Sequence, residues 1–165
     1  MSLASTSQQV IHRSDYQPSQ CCVDSVNLTI AIYDDFTQVT GVFAISPLSA
    51  KGGNITLYGG ETLQFHAMEI NDTPYHPDDS DLANGRIDLI IEKPSVVMIT
   101  GRIYPDQNTA LEGLYRSNGM YCTQCEPEGF RRIIWYPDHP DILSVFTTRI
   151  EANAATLPVL LSNGN

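Results

Sequence analysis

The feature that most constrains this chain is a two-residue apolar alternation that recurs along most of its length. In "VNLTIAIYD", Val26, Leu28, Ile30 and Ile32 fall on one face, with Asn27, Thr29 and Tyr33 among those on the other. That period puts successive side chains on opposite faces of a strand. After an acidic turn at Asp34 and Asp35, "TQVTGVFAIS" repeats it with Val39, Phe43 and Ile45. "NITLYGGETLQFHAMEIND" reads as two strands around a Gly59-Gly60 hairpin signal. "GRIDLII" and "VVMITGRIY" supply two more, separated by Pro94, and "DILSVFTTRIEA" with "LPVLLSN" a final pair. Eight or more strands at short, fairly regular spacing predict an all-β fold, an antiparallel sandwich or curved sheet.

One stretch departs from this pattern. In "PEGFRRIIW", Phe130, Ile133 and Ile134 stand at i, i+3 and i+4, and Pro127 suits a first helical position, so one short helix is expected with those three residues buried. "HPDDSDLANG" reads as an acidic loop. Residues 1–14 are expected to be an expression scar ("MSL") and a poorly ordered N-terminus, and 15–165 one domain. A chain of 165 residues is long enough to bury a core without staples.

Charge narrows the partners. The net charge is −10, with only nine Lys and Arg, of which Arg131-Arg132 are adjacent. Phosphate binding needs clustered basic residues, so no nucleic-acid partner is expected. No apolar run approaches the roughly 18 residues needed to span a bilayer, and "MSLASTSQQV" has neither the basic nor the apolar region of a secretory signal. The expectation is therefore no membrane and a cytoplasmic setting, with Cys21, Cys22, Cys122 and Cys125 as free thiols.

The chemistry-bearing residues concentrate in "NTALEGLYRSNGMYCTQCEPEGFRRIIWYPDHPD", Asn108 to Asp141. A structural zinc site needs four N or S ligands, usually as two pairs. Cys122 and Cys125 have the spacing of one pair, but Cys21-Cys22 and His139 do not make a second, so no metal site is expected here. A thioredoxin-type role wants its C-x-x-C at a helix start in a βαβ unit, which this β background lacks. Glu126 has two open readings. Beside a helix N-terminus it either complements the dipole or receives a cation. H-E-x-x-H, G-x-S-x-G and a Gly-rich phosphate loop are all missing, so no catalytic constellation is present.

Gly113-Leu114-Tyr115, Thr123-Gln124, Glu126-Pro127, Arg131-Arg132, Asp138 and Ser162-Asn163 together resemble the N-terminal domain of the bacterial aminopeptidase N family, zinc metallopeptidases of the gluzincin type. The match is dense over Asn108 to Asn165 and collinear upstream through "HRSDYQPSQCCVDSVNLTI" and "ETLQFHAMEINDTPY". The resemblance implies a parent enzyme that removes N-terminal amino acids from peptides, with this domain a saddle-shaped curved sheet packed on a catalytic domain of the same chain. It also implies that Glu126 grips the free α-amino group of the peptide N-terminus and that Gln124 assists. Zinc, its ligands and the general base would belong to the catalytic domain, leaving this fragment inactive alone. The alternative from another class is a stand-alone β-sandwich interaction module without catalysis.

Overall fold

The computed structural model describes residues 12–164. The expectation for residues 1–11 lies outside the described residues. Among the described residues ten strands form in chain order: β1 (Cys21–Ile32), β2 (Thr37–Pro47), β3 (Gly53–Tyr58), β4 (Gln64–Ile70), β5 (Thr73–Pro74), β6 (Arg86–Ile91), β7 (Ser95–Ile103), β8 (Gly113–Ser117), β9 (Met120–Gln124) and β10 (Val145–Glu151). Six of them make one sheet in the order β10-β1-β2-β7-β4-β5, while β3 pairs with β6 and β8 with β9. The all-β sandwich expected from the alternation is what the chain forms.

Register explains the core. Val26 lies opposite Phe43 and Phe43 opposite Val97, Leu28 opposite Gly41 and Gly41 opposite Ile99, so one face of the large sheet is apolar row after row. The apolar side of the β3–β6 pair, Ile55, Leu57, Ile87, Leu89 and Ile91, joins those residues in a single buried cluster. Alternation in β6 is complete, with Ile87, Leu89 and Ile91 buried and the residues between them exposed. Burial of this kind contributes about 25 cal/mol per Å² of apolar area removed from water.

Four local expectations are corrected. Gly59-Gly60 is not a hairpin turn, because β3 and β4 belong to different sheets. The two glycines instead let the backbone pass beneath bulky neighbours. A Cβ on Gly59 would lie 2.6 Å from the Trp135 ring, and one on Gly60 2.9 Å from the Arg132 Cα. "LPVLLSN" forms no strand, since no element of the domain offers its backbone a ladder partner, and Val159, Leu160 and Leu161 remain exposed. β10 runs parallel to β1, so the sheet is mixed rather than purely antiparallel.

The fourth correction concerns the helix. The described residues hold one α-helix, α1 (Asp79–Ala83), inside the stretch read as an acidic loop. "PEGFRRIIW" makes only a 3-10 turn at Phe130–Arg132. Glu128 at φ 59° interrupts any helical run, and Tyr136 is drawn into extended pairing with Tyr58. Ile133, Ile134, Trp135 and Tyr136 are all buried in succession, which one stripe of a helix cannot achieve. The burial expectation itself holds for Ile133 and Ile134, with Phe130 half-buried against the same core. No helix among the described residues is long and apolar enough to cross a membrane.

Candidate functional site

The inner face of the large sheet extends beyond the β3–β6 cover at its β1–β10 end. There Phe146 lies beside Val26, Thr148 beside Leu28 and Ile150 beside Ile30. Above this strip runs the turn that follows β9. Together they bound a groove of about 550 Å³, floored by Leu28, Ile30, Phe146 and Ile150 and rimmed by Gln124, Glu126 and the Leu161–Asn163 segment. Apolar floor and polar rim are the ordinary make-up of a site that orients a small group.

The turn over the groove is Cys125–Gly129. The Gly129 N–H donates to the Cys125 carbonyl at 2.7 Å, closing it. A Cβ on Gly129 would stand 2.7 Å from the Gln124 carbonyl oxygen and 2.8 Å from the Cys125 Cα, both backbone atoms, so only glycine closes the turn this tightly. Glu126 is joined to Pro127 by a cis peptide bond. The Gln124 side-chain amide donates to the Glu126 carbonyl oxygen at 2.9 Å.

The two residues singled out from sequence are thus brought together, on one rim and both exposed. Their contact differs from a shared grip: Gln124 braces the backbone of Glu126 and leaves its carboxylate alone. That carboxylate makes no ion pair with the described residues. Glu126 also heads no helix, so complementing a helix dipole is not its role here.

Both adjacent arginines are engaged elsewhere. Arg132 pairs with Glu112 at 2.7 Å. Arg131 pairs with Asp138 at 2.9 Å and approaches Glu128 at 3.4 Å, with its guanidinium over the Tyr58 ring at 4.7 Å. Asp138 and Tyr58 carry no motif that marks them as part of this site. Asp138 stands in the resemblance without a role, and Tyr58 is distant in sequence, so their contribution is visible only in the folded chain.

The sulfurs play a different part. All four cysteines are free thiols. No group of three or more His, Cys, Asp or Glu among the described residues converges to hold a metal ion, so the donor set for zinc is not here. Burial, and then the Asp138 and Glu126 carboxylates, push the Cys125 thiol above its ordinary value of 9.0. A thiol held neutral in this way packs rather than ligates. The folded chain keeps a proton that the unfolded chain releases above pH 9.0, so this stabilisation is complete below that pH and lost as pH rises toward the folded-state value. Urea unfolding at pH 7 and pH 10 is expected to show a loss of stability at the higher pH that is smaller in Cys125→Ala. An equal loss in both chains would remove Cys125 from the account.

The Peptidase M1 N-terminal domain family matches residues 90–165. Aminopeptidase N of Caulobacter vibrioides is 35% identical over 159 residues, covering 95% of this chain and 18% of that protein. Aminopeptidase N of Escherichia coli K12 is 38% identical over 157 residues, with the same two coverages. The chain therefore spans about 18% of the length of the curated relatives it matches. Among solved structures, Legionella pneumophila aminopeptidase A in complex with aspartic acid aligns over 92% of this chain and 18% of that one, with 28% identity and a TM-score of 0.74. An M1 zinc metallopeptidase from Deinococcus radiodurans shares the fold at 15% identity and TM-score 0.63, over 81% of this chain and 32% of that one. The strand arrangement and these matches agree: this chain has the sequence and fold of a peptidase M1 N-terminal domain, of the kind found in aminopeptidase N.

Proposed function

We propose that the domain serves a zinc aminopeptidase that removes N-terminal residues from peptides, and that it supplies the anchor for the substrate's free α-amino group. The observation that carries this reading is the Glu126 carboxylate: unpaired among the described residues, exposed on a closed turn, and set at the rim of an apolar groove. An ammonium reaching that rim meets a fixed negative charge. An internal peptide nitrogen, being uncharged, would leave the carboxylate covered by substrate without a partner, and that penalty disfavours internal bonds. Gln124 supports the geometry through the Glu126 carbonyl. Zinc, its ligands and the general base belong to the remainder of the chain, and the working location is the cytoplasm.

Packing against a catalytic domain of the same chain has its own support. Leu143 just before β10, Val145 and Phe146 within it, and Leu160 and Leu161 beyond it are all exposed. An apolar strip of this kind marks a contact surface. The same strip also fits the second reading, an interaction module with no catalysis. The two are separated by substrate chemistry. In the complete chain, an amino-acid anilide with a free amine should be cleaved and its N-acetylated counterpart refused, and Glu126→Gln should narrow that preference by roughly tenfold or more. Equal discrimination in wild type and variant would rule out Glu126 as the anchor.

A further inference from the structure

We infer that Arg131 is a positioning residue: it fixes the Cys125–Gly129 turn to the rigid end of β3 and leaves Glu126 as the turn's single unpaired carboxylate. The inference rests on the amine-anchoring reading of Glu126.

Arg131 meets three parts of the molecule at once. Its Nε donates to Asp138 Oδ2 at 2.9 Å, and its backbone N–H donates to the same oxygen at 3.1 Å. Its Nη2 donates to the Asp138 carbonyl at 3.3 Å and lies 3.4 Å from a Glu128 carboxylate oxygen. The flat face of the guanidinium covers Tyr58, the last residue of β3, whose backbone is paired in both directions with Tyr136. The Arg131 carbonyl accepts the Gly60 N–H at 2.7 Å. The Arg131 and Asp138 side chains are only 21% and 12% exposed, so that pair is shielded from water and salt, while Glu128 meets it from the solvent side. In-plane bonds to two acids with a ring against one face need a planar fork, and lysine cannot supply both.

The charge consequence follows from the same contacts. The turn carries two glutamates, Glu126 and Glu128, flanking Pro127. Of these two glutamates Arg131 pairs only with Glu128, alongside its closer pair with Asp138, and Arg132 is committed to Glu112. Neither cation reaches Glu126. An incoming ammonium therefore meets one carboxylate at one place, rather than choosing between two on a loosened turn.

The test is a mutant cycle in the complete aminopeptidase chain, with an amino-acid anilide as substrate. Arg131→Lys, Glu126→Gln and the double variant are compared by KM and kcat. Because Arg131 acts through Glu126, Arg131→Lys is expected to raise KM roughly tenfold with kcat nearly unchanged, and to add less than about twofold in the Glu126→Gln background. If Arg131→Lys does not yield folded protein, Asp138→Asn removes the other half of the pair and is expected to show the same KM rise and the same non-additivity. An equal factor in both backgrounds, a fall in kcat alone, or wild-type kinetics for Arg131→Lys would each overturn the positioning role while leaving the anchor standing. Wild-type kinetics for Glu126→Gln would instead bring down the anchor and this inference with it.

Discussion

Replacing Glu126 by alanine in the complete chain is expected to lower kcat/KM for a free-amine substrate by roughly 10- to 150-fold. The figure follows from a hydrogen bond to a charged group, which contributes about 1.5–3 kcal/mol. The carboxylate has no competing partner among the described residues, so its whole interaction is available to the ammonium. If the pair forms equally in ground and transition states, the loss appears in KM. If it also sets the scissile carbonyl in place, kcat falls as well. Gln124→Ala should cost less, because its amide braces a backbone carbonyl and is itself neutral. Steady-state constants for these variants with Cys125→Ser decide the matter. Wild-type behaviour of Glu126→Ala beside a dead Cys125→Ser would transfer the role to the sulfur.

The second large effect is on stability. Trp135→Ala is expected to destabilise the domain by about 3–5 kcal/mol, the range for emptying a large aromatic site in a core. Trp135 is 2% exposed, meets Phe65 edge-on at 6.5 Å between centroids, and closes over Gly59. It belongs to the single core cluster, with Phe65 of β4 on one side and Gly59 just after β3 on another, so its loss leaves a cavity between them. In a chain of this size that corresponds to a fall in Tm of roughly 6–20 °C. Trp135→Phe should be far milder. The indole Nε1 is buried without a hydrogen-bond partner, so phenylalanine removes an unsatisfied donor while keeping most of the ring. Thermal unfolding of both variants tests this, and a phenylalanine variant as unstable as the alanine one would contradict it.

How far the sequence reached can be seen in particular residues. Alternation in β1, β2 and β6 was legible because a strand half-buried in one sheet places every second side chain in the core. The apolar rows Val26–Phe43–Val97 and Leu28–Gly41–Ile99 follow directly from it once the strands pair. Glu126 and Gln124 were singled out as site candidates through the resemblance around Thr123, Glu126 and Pro127. In the folded chain they lie on one rim, though Gln124 meets the backbone of its neighbour and not its carboxylate.

What the sequence by itself determined is most of the strand content and the side of each strand that turns inward, because these depend on local period. Glu126 and Gln124 stood out as candidates for the amine anchor only through the family resemblance. Only the tertiary structure decided which strands pair, that Gly59 and Gly60 pass beneath Trp135 and Arg132 rather than turn a hairpin, and that "PEGFRRIIW" yields a 3-10 turn. It alone drew Arg131, Asp138, Glu128 and Tyr58 around one guanidinium. The physical reason is the same in each case. These outcomes depend on contacts between residues far apart in the chain, where the burial of four consecutive residues, Ile133 to Tyr136, and the pairing of Tyr58 with Tyr136 outweigh the weak local preference for a helix.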